Sequence, residues 1–107
     1  RTTEILDSHG LDYVIDWTLS GAAFLTAGGQ LLESVRASIR EVLNVETEPS
    51  TGGGTSDGRF IAPTGAEVIE FGPVNETIHK VDECVAVADL DSLAATYRAI
   101  LTRLMKI

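Results

Sequence analysis

A glycine-rich loop carries the first residues of this 107-residue chain that could do chemistry. Residues 50–58 read Ser-Thr-Gly-Gly-Gly-Thr-Ser-Asp-Gly, so the segment can offer hydroxyls and backbone N–H groups to a carboxylate or oxyanion. No Lys-Ser or Lys-Thr pair follows the glycines at P-loop spacing, and the run is not a dinucleotide fingerprint. An anion nest is therefore one interpretation. For an isolated glycine run, an ordinary flexible turn is the simpler one, with Asp57 capping a helical turn over residues 58–61.

His79 is the second chemical candidate, because it follows a predicted strand in a loop that reads Asn-Glu-Thr-Ile-His-Lys. A neutral imidazole at such a position can ligate a metal. Asp82, Glu83 and Cys84 follow closely, but their spacing matches no standard zinc motif. On this pattern alone a surface histidine is the simpler interpretation. His9 precedes a helix-ending glycine and is assigned no role, and neither histidine has an obvious serine partner.

Seven segments are predicted to position these loops. Residues 11–18 and 67–71 are typical of strands by their apolar pattern and bounds, and residues 45–49 are a shorter strand candidate. Residues 30–43 and the segment from Asp89 onward repeat apolar positions at helical spacing, with Asp89 as the expected N-cap. A short helix is expected over residues 2–9, and the small residues 20–23 indicate a boundary or hinge. Strands alternating with long helices predict an α/β layer structure.

Composition restricts the class of partner. The formal net charge of −8 opposes capture of nucleic acid or of an anionic membrane surface, and the single cysteine, Cys84, excludes an internal disulfide. We find no apolar run of membrane-span length and no signal peptide. These features predict a soluble, cytoplasmic, one-core chain, and its first residue, Arg1, suggests a piece of a longer protein.

Two long stretches carry a family resemblance. Residues 51–62, Thr-Gly-Gly-Gly-Thr-Ser-Asp-Gly-Arg-Phe-Ile-Ala, and residues 70–85, Glu-Phe-Gly-Pro-Val-Asn-Glu-Thr-Ile-His-Lys-Val-Asp-Glu-Cys-Val, resemble the closing segment of the bacterial succinyl-diaminopimelate desuccinylase family. Residues 11–13, 17–21 and 24–26 are also similar, so the resemblance spans essentially the whole chain.

The resemblance implies a fold and a domain division. It implies an α/β fold in which residues 21–107 are the C-terminal part of a zinc-exopeptidase-like catalytic domain, a central sheet flanked by helices. Residues 1–20 would then be the last helix and strand of an α+β dimerisation or lid domain.

The resemblance also implies site residues. His79 would be a metal ligand, and Gly54, Thr55 and Asn75 would hold the succinyl end of the substrate. Ser20 would lie near the diaminopimelate end. The anion-nest interpretation of the glycine loop agrees with a carboxylate ligand there, because backbone N–H groups need no net positive charge.

The activity implied for the parent enzyme is hydrolysis of N-succinyl-LL-2,6-diaminopimelate to succinate and LL-diaminopimelate, in lysine and diaminopimelate biosynthesis. The implied enzyme is a cytoplasmic homodimer with two zinc ions, for which cobalt can substitute, and with a glutamate as general base. The other metal ligands and this base would lie in the missing N-terminal part, since the chain contains no His-x-Asp or Glu-Glu pair. The fragment alone is therefore expected to be inactive.

Two alternatives stay open. The chain could be a non-catalytic α/β binding or assembly module whose resemblance reports ancestry, or part of a related N-acyl amino acid hydrolase.

Overall fold

The computed structural model describes residues 1–54, 56–74 and 76–106. Four α-helices occur in this part of the chain: α1 (Thr2–Ser8), α2 (Gln30–Leu43), α3 (Gly58–Ile61) and α4 (Val87–Met105). A 3₁₀-helix over Ala62–Thr64 follows α3 directly. The predicted helices over residues 2–9, 30–43 and 58–61 are confirmed, whereas the N-cap of α4 is Ala86, three residues before the predicted Asp89.

Packing of α2 against α4 forms the core of the chain. The apolar side chains of Val35, Ile39 and Ile100 are 4 to 6% exposed, and they form one cluster. Four partly buried residues pack on this cluster: Leu31, Ile69, Phe71 and Leu104. Both helices owe their contact to apolar residues that recur every three or four positions, which places them on one face of each helix. An ion pair between Arg103 and Glu41 joins the same two helices at the surface.

The N-terminus of α2 is capped by a residue distant in sequence. The N-cap position is Gly29, which has no side chain to accept a hydrogen bond, and its φ of 140° is one that glycine tolerates. Instead the Glu67 carboxylate accepts a 2.7 Å hydrogen bond from the Leu31 N–H. The negative charge of this carboxylate is also attracted to the positive end of the helix dipole, which stabilises the helix. Glu67 thereby ties the segment after the 3₁₀-helix to the start of α2.

The predicted α/β fold with a central sheet is wrong for this chain, because the described residues contain no strand. Residues 11–18, 45–49 and 67–71 pair with no neighbouring strand in the part of the structure that is described. A strand requires a partner for its backbone N–H and C=O groups. In residues 67–71 side chains take that place: the Thr26 hydroxyl donates to the Val68 carbonyl at 2.7 Å and accepts from its N–H at 3.2 Å.

Helix α1 stands apart, since among the described helices it packs against no other. Its contacts are local: the Tyr13 hydroxyl donates a 2.9 Å hydrogen bond to Asp7. This bond, with some desolvation, raises the pKa of Tyr13. The radius of gyration is 19.4 Å, against about 13 Å for a compact domain of this length, so the chain is elongated.

No helix among the described residues combines the length and the apolar character that crossing a bilayer requires.

Candidate functional site

The glycine loop leaves its backbone open to solvent. Residues 51–54 are exposed, and a Cβ placed on Gly53 or Gly54 would meet no atom within 4 Å. The Ser50 hydroxyl accepts a 3.0 Å hydrogen bond from the Gly52 N–H, which turns the chain at the start of the loop. Gly54 is therefore accessible to a ligand, as a backbone anion site requires. The other predicted residue of this loop, Thr55, lies outside the described residues.

Helix α3 anchors the far end of the glycine loop. Gly58 is buried, and a Cβ there would lie 2.9 Å from a Val68 methyl and 3.0 Å from the Phe24 ring. The Ser56 hydroxyl accepts a 3.1 Å hydrogen bond from the Gly58 N–H and donates to the Glu70 carboxylate. Asp57 holds the N-cap position but makes no capping bond, so the predicted cap is made by its neighbour.

Residues 54–58 also fit the Gly-x-Ser-x-Gly pattern of serine hydrolases, which sequence reasoning passed over. Such a nucleophile needs a histidine base within hydrogen-bond reach and a strand-to-helix turn. The described bonds of the Ser56 hydroxyl go to Gly58 and Glu70, and no strand precedes it among the described residues. The geometry therefore supports an anchoring role for Ser56.

Ser20 is exposed, and the chain beside it passes close to helix α3. A Cβ on Gly21 would lie 2.7 Å from Cδ of Arg59, so a larger residue would have to displace that side chain. The Arg59 guanidinium lies 4.7 Å from the centroid of the Phe60 ring. Through Arg59 the structure brings the Ser20 segment to the helix that ends the glycine loop.

His79 is exposed in a loop that a threonine closes. The Thr77 hydroxyl donates to the Cys84 carbonyl at 2.9 Å and accepts from the Cys84 N–H at 3.0 Å. The His79 N–H donates a 3.2 Å hydrogen bond to the Glu83 carboxylate. His79 has a φ of 62°, in the left-handed region, as does Asp82. The Cys84 side chain is exposed.

The exposed imidazole of His79 suits the chemistry of one metal donor. Within the described ranges, however, no three or more His, Cys, Asp or Glu side chains form a group that could hold a metal ion. Protein zinc sites use three or four protein ligands. The described residues therefore fit a single ligand and cannot by themselves hold a metal. The predicted substrate contact Asn75 is outside the described residues.

The candidate residues are only partly assembled by this chain. Glu70 connects the glycine loop to the segment that leads into the His79 loop. Arg59, on the helix that ends the glycine loop, lies beside Gly21. Among the hydrogen bonds of the described residues, none joins His79 to Ser20 or Gly54 directly. The sequence analysis did not identify Thr77 or Arg59 as part of the site. For Thr77 one signal was available: histidine and aspartate are enriched at positive φ, so His79 and Asp82 indicate a tight turn close to Thr77.

Comparison with known proteins covers almost the whole chain. Residues 6–103 match Peptidase family M20/M25/M40. A protein named succinyl-diaminopimelate desuccinylase from Thioalkalivibrio sulfidiphilus is 59% identical over 105 residues, which are 98% of this chain and 28% of that protein. Proteins of the same name from Shewanella pealeana and Shewanella piezotolerans are 60% and 58% identical over the same shares. The chain thus spans 28% of the length of these curated relatives. Because the family match extends over most of its residues, the chain belongs to Peptidase family M20/M25/M40.

Proposed function

We propose that this chain is part of a succinyl-diaminopimelate desuccinylase. The enzyme would hydrolyse the amide of N-succinyl-LL-2,6-diaminopimelate to succinate and LL-diaminopimelate, in lysine and diaminopimelate biosynthesis. The observation that carries the proposal is the identity of 59% to a desuccinylase across 98% of this chain.

The chain supplies part of a larger cytoplasmic protein in this proposal. Residues 1–20 would end a dimerisation or lid domain, and residues 21–107 would belong to the catalytic domain of a homodimer. Two observations support a larger assembly: α1 packs on no other described helix, and Trp17 and Val14 are 77% and 90% exposed. Large apolar side chains at that exposure gain stability when another surface covers them.

His79 is proposed as one ligand of a zinc site, with cobalt able to substitute, whose other ligands come from residues outside this chain. A divalent metal supplies Lewis acidity for amide hydrolysis. The exposure of His79 supports this role, as does the surrounding charge: Glu76, Asp82 and Glu83 are close in sequence, and Lys80 donates its Nζ hydrogen bond to the Glu76 carbonyl. An acidic surrounding favours a bound cation.

Substrate contacts are proposed for Gly54, Thr55 and Asn75 at the succinyl end and for Ser20 at the diaminopimelate end. The exposure of Gly54 and the open space on its Cβ side support the first assignment, because they leave room for a carboxylate beside the backbone. The Arg59 side chain lies beside Gly21 and places a positive charge near the Ser20 segment. Locally, this charge counters the negative charge that dominates the chain.

The experiment compares substrates and chain lengths. The full-length hydrolase that contains this chain is assayed with N-succinyl-diaminopimelate and with N-acetyl amino acids, and the 107-residue chain is assayed in parallel. We expect cleavage of the succinyl substrate by the full-length protein alone. Preferential cleavage of N-acetyl amino acids would instead indicate a related hydrolase. Absence of hydrolysis with every substrate would support a non-catalytic module.

A further inference from the structure

We propose that Thr77 is a positioning residue for His79, and this proposal rests on the proposed role of His79 as a metal ligand. Its hydroxyl is the donor in one hydrogen bond and the acceptor in another, both to the backbone of Cys84. A single side chain thereby closes a loop of eight residues, with His79 inside it. We call residues 77–84 the histidine loop.

The loop must hold an unfavourable backbone conformation. His79 and Asp82 each have a φ of 62°, where the Cβ of an L-residue crowds the backbone. A residue in this region keeps its conformation when surrounding bonds fix it. In an open loop His79 would spread over other backbone conformations, and each of these would point the imidazole in a different direction. Positioning of the ligand therefore depends on what closes the loop.

Two further bonds lie inside the closed loop. The Lys80 N–H donates to the Thr77 carbonyl at 3.0 Å, and the His79 N–H donates to the Glu83 carboxylate at 3.2 Å. Both span only three or four residues, so they shape the turn without joining its ends. Among the described bonds, those of the Thr77 hydroxyl bridge the seven positions to Cys84 and set the span within which these local bonds form. Thr77 is half-buried, although most of the loop is exposed, so it also has the steric support to keep its rotamer.

The test uses the full-length hydrolase with Thr77→Val and Thr77→Ser. Valine keeps the branched shape and removes the hydroxyl, whereas serine keeps the hydroxyl. Zinc affinity is measured by competition with a chromophoric chelator. Loss of a direct hydrogen-bond partner of a metal ligand weakens affinity about 10- to 100-fold. The Thr77 hydroxyl bonds to the backbone of Cys84 and acts on His79 through the loop, so we expect Thr77→Val to weaken zinc affinity about 10-fold, the low end of that range. Thr77→Ser should stay within about 3-fold of the unmodified protein, because both hydrogen bonds can re-form.

A double-mutant cycle separates positioning from general destabilisation. If Thr77 acts through the His79 imidazole, Thr77→Val should have no further effect on zinc affinity in a protein that already carries His79→Ala. An equal loss in both backgrounds would overturn the proposal. Thr64→Val is the matched control, since Thr64 also donates to a backbone carbonyl, that of Ile61 at 2.7 Å, outside the histidine loop. It should leave zinc affinity unchanged.

The outcomes distinguish this proposal from the one on which it rests. If His79→Ala does not weaken zinc binding, the proposed ligand is wrong. If His79→Ala weakens zinc binding but Thr77→Val does not, the ligand stands and the positioning role of Thr77 is refuted. Weakening by both, with rescue by Thr77→Ser and no additional effect in the double variant, supports the role of Thr77.

Discussion

Ile100 should be a sensitive apolar position in the contact between α2 and α4. Its side chain is 5% exposed and belongs to a cluster of three buried apolar residues, so Ile100→Ala removes a large share of the core. Truncation of a buried isoleucine to alanine costs about 2 to 5 kcal/mol. Alanine has the higher helix propensity, but the difference from isoleucine is less than about 0.7 kcal/mol, so it offsets little of that loss.

The adjacent Leu101 provides the control. It lies on the same helix but is 56% exposed, so Leu101→Ala should change the free energy of unfolding by no more than about 0.5 kcal/mol. Urea unfolding followed by circular dichroism measures both variants. With a slope of about 2 kcal/mol per M, the middle of the range for small proteins, Ile100→Ala should lower the midpoint by about 1 to 2.5 M. Ile100→Val should lower the free energy of unfolding by about 0.5 to 1.5 kcal/mol, which provides a measurable variant if alanine prevents folding. Equal effects of Ile100→Ala and Leu101→Ala would refute the burial of Ile100 between these helices.

Two further predictions concern close packing and charge. Gly58→Ala should lower the urea midpoint, because its Cβ would lie 2.9 Å from Val68, whereas Gly53→Ala meets open space; overpacking of this kind costs about 1 to 3 kcal/mol, and equal midpoints would contradict the close approach. Arg40 holds the pKa of Glu46 below its usual 4.5, mainly by a hydrogen bond. The ion pair therefore stabilises the folded state above about pH 4.5, and this stabilisation is lost as the pH falls through the lowered pKa of Glu46. The difference in unfolding midpoint between the unmodified chain and Glu46→Gln should therefore shrink on acidification below about pH 4.5, and a difference that grows would exclude the pair as its source.

Helices were predictable from this sequence because their signal is local. The apolar repeat over residues 30–43 places α2 at its observed bounds, since each residue pairs with one four positions away. The predicted N-cap of α4 was wrong: Asp89 is a good capping residue by type, yet it lies in the first turn, after the extended Ala86. A favourable cap residue indicates where a helix can begin and does not fix where it does.

The strand predictions were wrong because a strand forms only when a neighbouring strand pairs with it. The alternation over residues 11–18 shows which face would be buried in a sheet, but it contains no information about a neighbouring strand. In the described structure the backbone of Val68 is satisfied by Thr26, and the Phe71 carbonyl accepts a 2.6 Å hydrogen bond from the Tyr97 hydroxyl. Neither pairing follows from periodicity, since the partners are 42 and 26 residues apart.

The candidate site was predictable in its parts and not in its connections. The exposed glycines and the histidine were recognisable from their types and from the family resemblance. The Thr77 closure was not, because a hydroxyl and a backbone seven residues away share no repeating pattern. The same holds for the contact between Arg59 and Gly21, which depends on how the chain returns past α3.

Zinc content is the most direct test of the central claim, that this chain contributes His79 to the metal site of a desuccinylase. The full-length hydrolase and its His79→Ala variant are dialysed against the same trace-zinc buffer and measured by elemental analysis, with His9→Ala as the control because His9 is also exposed and has no assigned role. We predict that His79→Ala loses bound zinc, whereas His9→Ala keeps the content of the unmodified protein. Equal zinc in all three proteins would contradict the claim.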